Sequence, residues 1–102
     1  TVAATQMACS ENSDENIEKA EKMIREAVGK GAQIILLQEL FLTPYFCKDE
    51  KAEYFEYAVE TDGHPVLAHM SKLAKELNVV LPISFYERAG NAFFNSFSAF
   101  LF

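Results

Sequence analysis

The chain has 102 residues, half of them hydrophobic and 24% charged, which is the composition of a globular domain or a piece of one and not of a disordered tail. Its net charge of -6 and pI near 4.8 argue against nucleic acid and anionic membrane surfaces as partners, because both require a basic face. No apolar run approaches the ~20 residues that span a bilayer, Thr1-Val2-Ala3-Ala4-Thr5-Gln6 lacks the charged start and apolar middle of a signal peptide, and two cysteines make no disulfide framework, so the cytoplasm is the default compartment.

Val2 to Ala8 is short and β-compatible and reads as a first strand. A helix follows from about Ser13 to Lys30, with Ser13 or Asp14 as its cap. Ile17, Ala20, Ile24, Ala27 and Val28 share one face at helical spacing. The opposite face carries the pairs Glu15–Lys19, Glu18–Lys22, Glu21–Arg25 and Glu26–Lys30. Gly31 supplies the left-handed residue that stops the helix. Ala32 to Leu37, with Ile34-Ile35-Leu36-Leu37 unbroken by a polar residue, suits a strand covered on both faces. Strand, helix and strand make one βαβ unit, so the first two strands are expected to be parallel.

From Phe41 to Asp62 the periodicity is lost and aromatic residues accumulate, with a short helix expected between Asp49 and Tyr57. A connection of this length tends to be functional. A second helix runs from Pro65 to about Leu77, burying Val66, Met70, Leu73, Ala74 and Leu77, and Asn78 ends it. Val79 to Phe85 is the third strand, Arg88-Ala89-Gly90-Asn91 a hairpin turn, and Ala92 to Phe102 an antiparallel fourth strand. That last strand holds Phe93, Phe94, Phe97, Phe100 and Phe102, an edge apolar enough to call for further sequence to cover it.

Glu39 stands out on position alone. It lies at the carboxyl end of an apolar strand and before the aromatic loop, where open α/β sheets bind ligands. Between Leu40 and Phe41 its carboxylate would be poorly solvated, which suits a general base. The plain alternative is a strand-end carboxylate meeting water or an amide.

Gln33-Ile34-Ile35-Leu36-Leu37-Gln38-Glu39-Leu40-Phe41 resembles the first catalytic motif of the nitrilase superfamily of carbon–nitrogen hydrolases. Many members carry proline just before the glutamate; Gln38 departs from that and is similar to the carbamoylase branch. Thr43-Pro44-Tyr45-Phe46-Cys47 resembles the loop of the branch that hydrolyses N-carbamoylputrescine. The segments 72–80, 82–87 and Asn95-Ser96, and the opening Ala3-Ala4-Thr5-Gln6-Met7, resemble that branch too, in the right order along nearly the whole chain.

The resemblance implies the N-terminal portion, residues 1–102, of a single hydrolase domain, an α/β fold forming part of an α-β-β-α sandwich with a mixed sheet and two main helices. It implies a Glu–Lys–Cys triad in which cysteine attacks a carbamoyl or amide carbon, glutamate takes its proton and lysine stabilises the oxyanion. Only Glu39 of that triad maps onto this chain; the family's lysine and cysteine are expected beyond Phe102. No metal or organic cofactor is implied, the partner is a small carbamoyl or amide substrate, and the full-length protein is expected to be a homo-oligomer. Rival readings are an ω-amidase or β-ureidopropionase, and a non-catalytic α/β binding module.

Four further readings belong to single residues. Tyr45, Phe46 and Cys47 are candidate pocket residues, the two aromatics with cation–π capacity for an alkylammonium group; ordinary loop packing weighs equally for the aromatics. Glu39 is expected to share a cavity with Tyr45 and Cys47. Cys9 or Cys47 paired with His64 or His69 is a minor reading without a local signature, and the spacing of the histidines argues against a shared metal, leaving them cap or surface roles. Asn95 is expected to supply a supporting hydrogen bond.

Overall fold

The computed structural model describes residues 1–101. It begins with β1 (Val2–Ala4) and α1 (Ser13–Gly29). Asn12, not Ser13 or Asp14, caps α1: its side chain accepts from the amides of Asp14 and Glu15 at 3.1 and 3.3 Å. Asn12 adopts the extended backbone a cap needs, while Ser13 is already helical and its hydroxyl reaches Leu42 O at 3.0 Å. Of the four expected pairs on α1, Glu21–Arg25 (2.8 Å) and Glu26–Lys30 (3.0 Å) form. Glu15 instead bonds Ser10, and Lys19 reaches the Ala8 carbonyl. Gly31 ends the helix with φ +91°.

The chain continues through β2 (Ile34–Leu36), 3₁₀ turns at Phe46–Lys48 and Ala52–Tyr57, α2 (Pro65–Leu77), β3 (Leu81–Ala89) and β4 (Ala92–Phe100). Pro65 occupies the first turn of α2 and Asn78, left-handed at φ 57°, closes it. Phe102, the expected end of the fourth strand, lies outside the described residues.

The sheet is mixed. β1 pairs with β2 in parallel, Ile34 bridges Val80 in parallel at the entry to β3, and β3 pairs antiparallel with β4 from Leu81↔Phe100 to Ala89↔Ala92. Gly90, at φ +61° in the first position of the two-residue turn, provides the conformation that a type II′ hairpin requires. β1 is shorter than the expected Val2–Ala8 because its ladder changes character. Thr5 N still donates to Leu36 O at 2.9 Å, but Met7 N donates to the side-chain Oε1 of Gln38 at 2.7 Å. β3 outruns the expected Phe85 because β4 pairs with it throughout.

Both helices pack on one face of the sheet. Ala20 and Ile24 of α1 and Val66, Met70, Leu73 and Ala74 of α2 meet Ile35, Leu81, Ile83 and Phe85 in one core. The other face has no helix among the described residues. Val2 (72% exposed), Ile34, Leu36 and Phe97 (63%) lie open on it. This corrects the expectation that β2 is covered on both faces. Within this chain, burial alternates along β2, with Ile35 inside and its two neighbours outside.

Candidate active site

β2 delivers Glu39 through a turn with an unusual backbone. Leu40 takes φ +51°, the left-handed region, which costs a residue with a Cβ roughly 1–2 kcal/mol. The turn is held because Leu40 N donates to Ser84 Oγ at 3.3 Å and because Leu40 and Phe41 are both buried. Sending these two side chains inward leaves Glu39 outward and exposed, so they do not shield its carboxylate as expected. Across the helix-free face of the sheet, Asn95 Nδ2 donates to Glu39 Oε1, and Ser84 Oγ donates to Asn95 Oδ1 at 3.3 Å.

The loop residues divide. Tyr45 and Cys47 are exposed, and Tyr45 stands in electrostatic reach of both Glu39 and Cys47: the Glu39 carboxylate, followed by Cys47, raises the Tyr45 phenol above its ordinary pKa. Cys47 lines a surface hollow with Phe46, Tyr54, Phe55 and Tyr86 that neither Glu39 nor Tyr45 lines, so it is not the cavity expected to join the three. Phe46 turns away into an aromatic cluster, 4.8 Å from the Tyr86 ring and 5.7 Å from those of Tyr54 and Tyr57. It also lines a narrow crevice with Leu40, Thr43, Tyr57, His64 and Ser84. Val59 pins the loop to β3, its amide donating to Tyr86 O and its carbonyl accepting from Arg88 N.

His64 caps α2. Its Nδ1 accepts from Val66 N at 3.3 Å, the ring is buried, and burial lowers its pKa. His69 lies on the surface against Glu21 at 2.7 Å. Neither histidine is near a cysteine in a bonded pair. Cys9 Sγ donates to Phe41 O and accepts from Gln38 Nε2, both at 3.2 Å, and burial raises its pKa, which disfavours thiolate. Cys47 is exposed. Among the described residues no group of three His, Cys, Asp or Glu side chains is placed to hold a metal ion.

Two supporting residues escape a reading of motifs. Gln38, at the position where proline is common in the resemblance, ties the end of β1 to the end of β2 through Met7 and Cys9. Asn16 is fully buried and joins two loops to α1: Nδ2 donates to Ser10 O (2.7 Å) and Leu42 O (2.8 Å), and Oδ1 accepts from Ser10 N (2.9 Å). Its signal was available, since Asn16, Ala20 and Ile24 recur every four residues, an amide on the apolar stripe.

The carbon-nitrogen hydrolase profile matches residues 1–100, the strand, turn and loop around Glu39 included. The chain belongs to the carbon-nitrogen hydrolase family. It is 51% identical over 96 residues to an N-carbamoylputrescine amidase of Solanum lycopersicum, a match covering 94% of this chain and 32% of that protein. A citrullinase of Francisella tularensis is 43% identical over 95 residues, covering 93% of this chain and 33% of the other. Among solved structures, a carbon-nitrogen hydrolase from Helicobacter pylori G27 superposes with a TM-score of 0.85 at 29% identity, over 97% of this chain and 35% of that one. The chain thus spans about a third of the length of the curated relatives it matches. The α/β fold expected from the sequence, a nitrilase-like mixed sheet with two main helices, agrees with this neighbour.

Proposed function

We propose that the protein carrying this chain hydrolyses a non-peptide C–N bond in a small carbamoyl or amide compound, with N-carbamoylputrescine as the substrate and putrescine, carbon dioxide and ammonia as products. The observation that carries this reading is the 51% identity to an N-carbamoylputrescine amidase across the segment that contains Glu39 and its loop. In the proposed reaction Glu39 accepts the thiol proton of a cysteine nucleophile as sulfur bonds to the carbamoyl carbon. The same carboxyl group returns that proton to the departing amine, and water then cleaves the thioester-like intermediate. The nucleophile and an oxyanion-stabilising lysine are proposed to come from outside this chain, since the Cys9 thiol is tied to Phe41 O and Gln38 Nε2 and burial raises its pKa, which disfavours thiolate. Tyr45, which feels the Glu39 carboxylate, and Cys47, which interacts with Tyr45, are proposed to contact substrate. Phe46 supports the wall from behind.

A second reading, hydrolysis of a different ureido compound such as citrulline, is favoured by the 43% identity to a citrullinase. Comparing ammonia release from N-carbamoylputrescine and from citrulline separates the two. We further propose a cytoplasmic location, a homo-oligomeric state and a place in polyamine biosynthesis, which fractionation, light scattering and putrescine measurement in a deletion strain test. The central test is Glu39→Gln in the intact protein. Turnover is expected to fall by ~10²–10⁴-fold or more with the melting temperature unchanged, since the amide keeps the shape and cannot take a proton. A variant within a few-fold of wild type would remove Glu39 from the chemistry, and only an absence of turnover in the wild-type intact protein would leave a binding module as the better reading.

A further inference from the structure

We propose that Asn95 and Ser84 are positioning residues for Glu39, acting through a closed hydrogen-bond ring that fixes Glu39 Oε1 and leaves Oε2 as the atom that accepts the proton. This deepens the reading of Glu39 as proton acceptor and rests on it. The ring runs from Leu40 N to Ser84 Oγ, from Ser84 Oγ to Asn95 Oδ1, and from Asn95 Nδ2 to Glu39 Oε1, whose own residue precedes Leu40 in the chain.

The donor and acceptor inventory gives the ring one direction. A backbone N–H only donates and a carboxylate only accepts, while the hydroxyl and the amide each do both. Leu40 N occupies the hydroxyl's acceptor side, so the Ser84 hydrogen is free for Asn95 Oδ1. Reversing the Asn95 amide would set its oxygen against the carboxylate, which neither can bridge. Asn95 and Ser84 sit on paired strands, where Ser84 faces Phe97 and Asn95 faces Tyr86. Glu39, in contrast, is exposed on a turn that follows a strand of three residues. A carboxylate there is held in one orientation only if rigid neighbours hold it. The left-handed Leu40 belongs to the same device, since that conformation accompanies its amide's bond to Ser84 while Glu39 faces Asn95.

The test uses the intact hydrolase and the pH dependence of kcat and KM with N-carbamoylputrescine. Asn95→Ala is expected to lower kcat by roughly 10- to 100-fold, the scale of a lost hydrogen bond to a charged group, with KM unchanged. It should also move the acidic limb of the kcat profile to higher pH, because the donor that favoured the ionised carboxylate is gone. Asn95→Asp should move that limb further, since a second carboxylate opposes the first. Ser84→Ala should lower kcat, and Ser84→Thr, which keeps the hydroxyl, should restore it. If Glu39→Gln is inactive while both Asn95 variants keep the wild-type kcat and acidic limb, Glu39 needs no positioner and the proposal fails alone. If Glu39→Gln is active, the proton-acceptor reading fails and this one with it. Should the Asn95 variants not fold, the serine pair decides: rescue by threonine supports the ring, and equal rates for Ala and Thr overturn it.

Discussion

Replacing Leu40 by glycine is expected to harm the protein less than replacing it by alanine, the reverse of the usual order. Both variants remove a buried side chain, a change that costs roughly 2–5 kcal/mol for leucine to alanine in a core. They differ in the backbone. At φ +51° alanine keeps the left-handed penalty of roughly 1–2 kcal/mol, while glycine escapes it. Glycine's looser unfolded chain returns about 0.4–1 kcal/mol of that advantage. Leu40→Gly should therefore be about 1 kcal/mol more stable than Leu40→Ala, or roughly 4–8 °C in melting temperature for a chain of this size. Urea unfolding of the two variants side by side measures the difference directly. Alanine equal to or better than glycine would show that residue 40 does not occupy the left-handed region in solution, and the account of how Glu39 is turned outward would fall with it.

Asn16→Ala should cost about 3 kcal/mol, from three hydrogen bonds of a buried amide worth ~1 kcal/mol each; a loss under ~1 kcal/mol in thermal unfolding would mean that the Ser10 and Leu42 loops are held elsewhere. For His64 the sign follows from its lowered folded pKa: as pH falls below the ordinary value of 6.5 the unfolded chain takes the proton first, so stability present above that pH is lost toward the folded value. His64→Asn, which caps without titrating, should flatten the urea midpoint between about pH 7 and 5; an unchanged slope would assign it to another group. Glu21 acts in a separate, lower window, since its bond to Arg25 first and then to His69 lowers its pKa from 4.5 and its small exposed contribution is lost as pH falls through the folded value. The 102-residue chain by itself should release no ammonia from N-carbamoylputrescine; release abolished by Cys9→Ala or Cys47→Ala would contradict the placement of the nucleophile outside it.

The helices were legible because their signals are local. Apolar spacing marks both buried stripes, and Gly31, Pro65 and Asn78 mark ends where they are found. The cap of α1 was misplaced by one residue since Asn12, Ser13 and Asp14 are all capable, and only the backbone tells which is still extended. Strand lengths depend on partners. Gln38 ends the β1 ladder with a side chain, and β4 prolongs β3, neither of which a single-strand pattern contains. Glu39 was conspicuous by position and resemblance. Its exposure was not, because the left-handed turn at Leu40 sends the flanking side chains inward. The Asn95 contact joins residues far apart in sequence, so its existence was expected and its partner was invisible.

The open face of the sheet carries two things at once: apolar side chains that water solvates poorly, and the Glu39 ring. Whatever comes to lie on that face therefore sets the dielectric in which the carboxylate works. Two unit charges 4 Å apart interact by about 1 kcal/mol in bulk water and about 4 kcal/mol at an effective dielectric of 20. With the face bare, water screens Glu39 from its neighbours and the surface around it is adhesive. With the face covered, the adhesion is spent and the same acid feels each neighbouring charge about four times as strongly. Cohesion of the two layers and reactivity of the carboxylate are then one event, and a loosened seam would dull the chemistry before any residue of the ring had moved.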